Sequence, residues 1–213
     1  MVEKELDYKI VELPDDVDPL KVLNINVGIL GHVDSGKTSL SKKLSTIAST
    51  ASFDKNPQSQ ERGITLDLGF SAFYLKIPDS LKNKFPNNER LNSSEFFQIT
   101  LVDCPGHASL IRTVVAGAAI IDVIVLVIDC IKGIQVQTTE CLVLGEVLAE
   151  NMIIALNKID QLLDKDDNEI DNFYKSIDTK VNKLKQIFKP TKFTENITIC
   201  PISADPSKLL IYI

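Results

Sequence analysis

The chain has 213 residues, of which 44% are hydrophobic and 24% charged, with a formal net charge of −6; this is enough for one α/β domain with a core and too little for a second full domain. No apolar stretch reaches the length of a membrane span, the acidic N-terminus lacks the basic character of a signal or transit peptide, and the acid excess argues against a free-standing nucleic-acid binder. Cys104, Cys130, Cys141 and Cys200 show no paired spacing, so neither a zinc site nor a disulfide framework is expected, and a reducing, cytoplasmic compartment is.

Residues 1–22 set seven acids against three lysines and read as a peripheral acidic arm, ahead of a nucleotide-binding domain over 23–213. Val22 to Leu30 reads as a strand in which Ile25, Val27 and Ile29 alternate with polar or small residues. Gly31-His32-Val33-Asp34-Ser35-Gly36-Lys37-Thr38 follows directly, and Leu40, Leu44 and Ile47 then recur at helical spacing. A glycine-bearing loop between strand and helix is the setting of a phosphate-binding loop. Glycine permits the turn that aims successive amide N–H groups inward, and the helix N-terminus adds partial positive charge. The candidate phosphate contacts are Val33, Asp34, Ser35, Gly36, Lys37, Thr38 and Ser39. Lys37 is placed to supply a point charge between the β- and γ-phosphates, and the Thr38 hydroxyl to be a ligand for Mg²⁺. His32 is expected to act through its backbone rather than its ring.

The polar stretch Asp54 to Gln60 has no periodicity and precedes Glu61-Arg62-Gly63-Ile64-Thr65-Leu66. Thr65 would complete the Mg²⁺ shell in a loop ordered by the γ-phosphate and released after hydrolysis. Leu68 to Ile77 is expected to be an antiparallel edge strand, and Pro78 to Glu95, rich in Asn, Lys and Ser, a surface insertion. The strand Gln98 to Val102 ends at Asp103-Cys104-Pro105-Gly106-His107. Asp103 is expected to hold Mg²⁺ through water, the Gly106 amide to turn toward the γ-phosphate, and His107 to orient the attacking water.

Beyond the strand Val123 to Ile128, the apolar run Met152 to Leu156 leads into Asn157-Lys158-Ile159-Asp160. That is the carboxyl end of a buried strand, where open α/β sheets bind ligands. The two Asp160 oxygens can accept from the ring N–H and the exocyclic amine of guanine, whereas adenine offers no such donor pair. Asp164 to Glu169 reads as a short acidic loop. Ile170, Phe173, Ile177, Val181, Leu184, Ile187 and Phe188 form the core-facing stripe of a helix. After the last strand, Ile197 to Ile202, Ser203 and Ala204 are expected to complete the base pocket with a backbone N–H aimed at the guanine carbonyl oxygen. The predicted fold is α/β: a mostly parallel six-stranded sheet with one antiparallel edge strand and helices on both faces.

Taken together, Gly-His-Val-Asp before Gly-Lys-Thr, Arg-Gly-Ile-Thr, Asp-Cys-Pro-Gly-His and Asn-Lys-Ile-Asp resemble the translational GTPases, a P-loop GTPase family. Within them the chain is similar to the GTP-binding domain of selenocysteine-specific elongation factors of the eukaryotic type. That narrower likeness rests on Asp34-Ser35-Gly36-Lys37-Thr38, Leu44-Ser45-Thr46, Ala51 through Lys55, Glu61 through Phe70 and Ala108 through Thr113, and the whole match runs from Asn24 to Ala204.

The resemblance implies binding of GTP and GDP with Mg²⁺ and hydrolysis of GTP to GDP and phosphate. It further implies an apolar gate of Val33 and Ile64 beside His107 that opens on the ribosome, and a monovalent cation held near Asp34. For a full-length parent it implies selenocysteyl-tRNA, the ribosome and a selenocysteine RNA-element complex as partners, served by β-barrel domains beyond this chain. The domain itself is expected to be monomeric and free of membrane. Two other readings stay open: the nucleotide domain of another tRNA-carrying translational GTPase, against which Ser35 and Leu44 to Lys55 argue, and a GTP-loaded binding module with negligible hydrolysis, against which His107 argues.

Overall fold

Val123 to Ile128 and Met152 to Leu156 are apolar at every position, so a sheet containing them needs cover on both faces. The computed structural model describes residues 10–14, 16–45, 69–103, 121–162, 170–194 and 196–204 and provides that cover. Its strands are β1 (Ile10–Val11), β2 (Val22–Leu30), β3 (Gly69–Lys76), β4 (Phe96–Asp103), β5 (Val123–Asp129), β6 (Asn151–Asn157) and β7 (Thr198–Pro201). Its helices are α1 (Lys37–Leu44), α2 (Asp79–Lys84), α3 (Glu89–Ser93), α4 (Val136–Leu148) and α5 (Ile170–Phe188), with short 3₁₀ turns at Pro19–Lys21 and Ile159–Leu162.

The sheet order is β1-β3-β4-β2-β5-β6-β7. From β4 through β7 the neighbours run parallel, while β3 is antiparallel to both β4 and β1. Among the described residues seven strands therefore replace the expected six, and β3, antiparallel as expected, is not the edge. Ile10 and Val11 pair with Leu75 and Tyr74 and cover it. A two-residue apolar pair followed by Glu12 and Pro14 carries no alternation from which a strand can be read.

Alternation along the central strands divides the core. Leu30, Leu126, Ile128, Ile154 and Leu156 face Cys141 and Leu148 of α4 and Ile177, Leu184 and Phe188 of α5. Val27, Ile29, Val127 and Ala155 point the other way, onto Leu40 and Leu44 of α1. Each fully buried Val, Leu, Ile or Phe among them stabilises by about 1.5–3 kcal/mol. From Phe173 onward the α5 stripe is as the spacing predicts, with Phe173, Val181 and Ile187 flanking the buried positions, while the Ile170 side chain lies outside the described residues.

Pro78 to Glu95 is more ordered than a plain insertion. Asn88 caps α3 by accepting from the Leu91 N–H, and Leu91 is buried with Ile77 and Phe97 in a small satellite core at the end of the sheet away from the candidate site. Cys130, Cys141 and Cys200 are free thiols, the first two buried. Burial pushes the Cys130 thiol up to about 11 and raises that of Cys141 as well. Among the described residues no helix is long and apolar enough to cross a membrane.

Candidate nucleotide site

β2 pairs with β4 on one side and β5 on the other, so connections leave its carboxyl end in opposite directions and open a crevice there. The loop from Gly31 to Gly36 lies in that crevice. Its backbone enters the left-handed region at Asp34 and Gly36, with φ of 63° and 96°, the kind of local reversal that turns amide N–H groups to one side. A Cβ on Gly31 would strike the Val127 carbonyl, and one on Gly36 would strike the Asn157 amide. Lys37 is 8% exposed, and its ammonium donates to the carbonyls of Gly31 and His32, each at 3.0 Å. The charge thus sits at the centre of the loop rather than in solvent.

Ser35 is fully buried, and its Oγ and the His32 Nε2 have no hydrogen-bond partner among the described residues. Burial holds the His32 ring below its ordinary value against the pull of Asp129, so the ring is neutral at pH 7. As expected, His32 contributes its backbone to the loop, through the carbonyl that accepts from Lys37. The first turn of α4 steadies the same loop. Val33 N–H donates to Gln137 Oε1 at 3.1 Å, and Thr138 Oγ1 lies 3.5 Å from His32 Nδ1. Asp34 and Ser39 are exposed beside it.

On the metal side, Thr38 Oγ1 donates to Asp103 Oδ2 at 2.8 Å. Asp103 is 3% exposed, and its Oδ1 has no partner among the described residues. Burial raises its carboxyl above the ordinary range, opposed by the Thr38 bond and the Lys37 charge. A buried carboxylate with one oxygen unsatisfied and a hydroxyl beside it fits a small hard cation. Ile64, Thr65, Gly106 and His107 lie outside the described residues.

On the base side, Asn157 is 1% exposed and ties two loops together. Its Nδ2 donates to the Ser35 carbonyl at 2.9 Å, and its Oδ1 accepts from the Ala204 N–H at 3.0 Å. Ser203 Oγ donates to Asp160 Oδ1 at 2.6 Å, which fixes the carboxylate at the head of its 3₁₀ turn. The expected residues thus converge, with one difference. The Ala204 N–H is engaged by Asn157 rather than aimed at a guanine carbonyl, because a buried carboxamide oxygen needs a donor.

Asp129, Gln137 and Thr138 are site residues that the motifs did not mark. Asp129 had a signal: it is a charge closing the apolar run of β5, a place where a carboxylate persists only with partners. Gln137 and Thr138, polar residues at the start of a helix, had none.

The model of the family described as the elongation factor Tu GTP-binding domain matches residues 23–208. The selenocysteine-specific elongation factor of Mus musculus is 49% identical over 184 residues, which is 86% of this chain and 29% of that protein. The protein of the same name from Methanocaldococcus jannaschii is 40% identical over 185 residues, 87% of this chain and 33% of its own length. Among solved structures, the translation elongation factor SelB of Methanococcus maripaludis in complex with the GTP analogue GppNHp superposes with a TM-score of 0.56 at 32% identity, covering 90% of this chain and 33% of that one. This chain spans about a third or less of the length of these relatives.

Proposed function

Since this chain belongs to the elongation factor Tu GTP-binding domain family, we propose that it is the guanine-nucleotide switch of a translation factor that brings selenocysteyl-tRNA to the ribosome and hydrolyses GTP there. The observation that carries the nucleotide reading is the Asn157 clamp, which joins the phosphate loop to the base-reading loops through Ser35 and Ala204. The names and identities of the mouse and archaeal relatives support the selenocysteine assignment.

In this reading Asp160 accepts from the ring N–H and exocyclic amine of guanine, with Asn157, Lys158, Ser203 and Ala204 shaping the pocket. The loop from Val33 to Ser39, with the Val33 N–H exchanging Gln137 Oε1 for an oxygen of the nucleotide, and the Lys37 ammonium surround the β- and γ-phosphate oxygens and stabilise the charge that develops on the bridging oxygen. Thr38, Thr65 and, through water, Asp103 would hold Mg²⁺, whose charge neutralises those oxygens when bound. His107 orients a water for in-line attack. The new bond forms between its oxygen and the γ-phosphorus, the bond to the bridging oxygen breaks, and the water proton leaves to phosphate or solvent. Gly106 donates its amide to the γ-phosphate, and Val33 with Ile64 keeps His107 from the water until the ribosome is engaged. Asp34, exposed beside the loop, would hold the monovalent cation that the family resemblance implies. The domain acts as a monomer in the cytoplasm, within a longer protein whose β-barrel domains contact the tRNA and a selenocysteine RNA-element complex.

The test is the affinity of the full-length parent, loaded with a non-hydrolysable GTP analogue, for selenocysteyl-tRNA against the seryl form of the same tRNA. Strong preference for the selenocysteyl form is expected, and equal affinity would overturn the cargo assignment. For the chemistry, His107→Ala should leave nucleotide affinity nearly intact and remove ribosome-stimulated turnover; unchanged turnover would remove His107 from that role.

A further inference from the structure

Asp129 closes β5, and its side chain is 3% exposed. An isolated carboxylate at that depth is strongly disfavoured, and this one is fully engaged. Its Oδ1 accepts from the N–H groups of Ile131 at 2.8 Å and Lys132 at 3.0 Å. Its Oδ2 pairs with Lys158 Nζ at 2.8 Å. Burial pushes the Asp129 carboxyl up, but the bonds from Lys158, Lys132 and Ile131 outweigh it and leave the group below the ordinary range.

The neighbouring residue repeats the connection through different atoms. Cys130 N–H donates to the Asn157 carbonyl at 2.9 Å, and Cys130 Sγ lies 3.1 Å from the Lys158 carbonyl. Lys158 itself stands in the left-handed region at φ 66°, a conformation that a lysine rarely adopts without support. The turn after β5 therefore grips both the backbone and the ammonium of the residue between Asn157 and Asp160.

We infer that Asp129 is a positioning residue for guanine-nucleotide binding, which acts by holding the Lys158 side chain in place beside the base pocket before the nucleotide arrives. This rests on the guanine-nucleotide reading of the site. A lysine side chain is rich in rotamers, and ordering it in advance removes a cost that binding would otherwise bear. The carboxylate on Oδ2 fixes the ammonium end, and the left-handed backbone fixes the other. Lys158 can then lay its alkyl stem along a flat base face while Asp160 reads the base edge.

The test is a double-mutant cycle on this chain with Asp129→Asn, Lys158→Met and the double variant, reading the dissociation rate of a fluorescent GDP by stopped flow. Asn keeps the shape and the acceptor for the loop amides while removing the charge. Release from Asp129→Asn should be about tenfold faster than from the wild type, and the same change in the Lys158→Met background should alter release by less than about twofold. The loss should be alike for GDP and inosine diphosphate, because Lys158 contacts a face and not an edge.

Equal effects in both backgrounds, or no effect in either, would overturn the inference. Asp129→Ser, which also leaves an acceptor for the amides, provides the same comparison should the Asn variant fold poorly. Wild-type preference for GDP over ADP is measured alongside, so that failure of the guanine reading is distinguished from failure of the Asp129 role.

Discussion

A methyl group on Gly36 would overlap the carboxamide nitrogen of Asn157, and that same nitrogen donates to the Ser35 carbonyl at 2.9 Å. The phosphate loop and the base-reading loop are therefore one packed unit whose spacing is set at a glycine. Gly36→Ala combines a left-handed backbone, at about 1–2 kcal/mol, with displacement of a buried amide from its acceptor, at about 1–3 kcal/mol. Denaturant titration should report a loss of about 2–5 kcal/mol, and nucleotide titration should report GDP binding weakened by two orders of magnitude or more. Unchanged values in both would mean that the loops are not in contact.

Asp103→Asn separates stability from function. The variant removes a buried charge whose Oδ1 has no partner among the described residues and keeps an acceptor for Thr38. Thermal unfolding of the nucleotide-free chain at pH 7 should show it more stable by about 1 kcal/mol. The strengthening of GTP binding by added Mg²⁺ should fall sharply in the same protein. A variant that is less stable yet retains the full Mg²⁺ effect would contradict the metal assignment.

Asp129 makes stability depend on pH in a known direction. Its folded value lies below the ordinary carboxylate value of 3.8, so the stability it contributes is fully present above that value and is lost as pH falls through the lowered one. The stability gap between the wild type and Asp129→Asn, followed by urea unfolding, should be level from pH 7 down to the ordinary carboxylate range and close below it. A gap that widened toward acid would reverse the sign and rule out the ion pair with Lys158.

Phe188→Ala provides the contrast. Phe188 is fully buried at the end of α5, among the core side chains beneath α4 and the sheet. Its truncation should cost about 3–5 kcal/mol in urea unfolding. Nucleotide affinity of the folded protein should stay within about twofold, because the site is built at strand ends and not on this helix. A large loss of affinity would show that the site depends on the packing of α5.

Much of the site was legible because its chemistry is written in short contiguous motifs. Gly31 to Thr38 and Asn157 to Asp160 stand in the chain as they stand at the ends of β2 and β6. The strands of the parallel core were legible too, since their apolar runs are long and their fully buried faces admit few alternatives. What the chain hid was pairing. Nothing local says that Ile10 and Val11 will cover β3, that Gln137 will receive the Val33 N–H, or that Ala204 will spend its N–H on Asn157. Each depends on a partner distant in sequence, and a two-residue strand or a single polar side chain has no periodicity with which to announce it. Asp129 lies between these cases, because a charge that ends an apolar run predicts a partner without naming it.

In the proposed function Asp160 reads a guanine edge within a site assembled from these loops. That role is tested most directly by competition between GDP and xanthosine diphosphate for the wild type and for Asp160→Asn. Asn offers a donor where Asp offers only acceptors, and xanthine has a carbonyl where guanine has an amine. The wild type should prefer GDP, and the variant should shift toward xanthosine diphosphate, with GDP affinity reduced by several orders of magnitude. A variant that kept the wild-type affinity and preference for GDP would contradict that role.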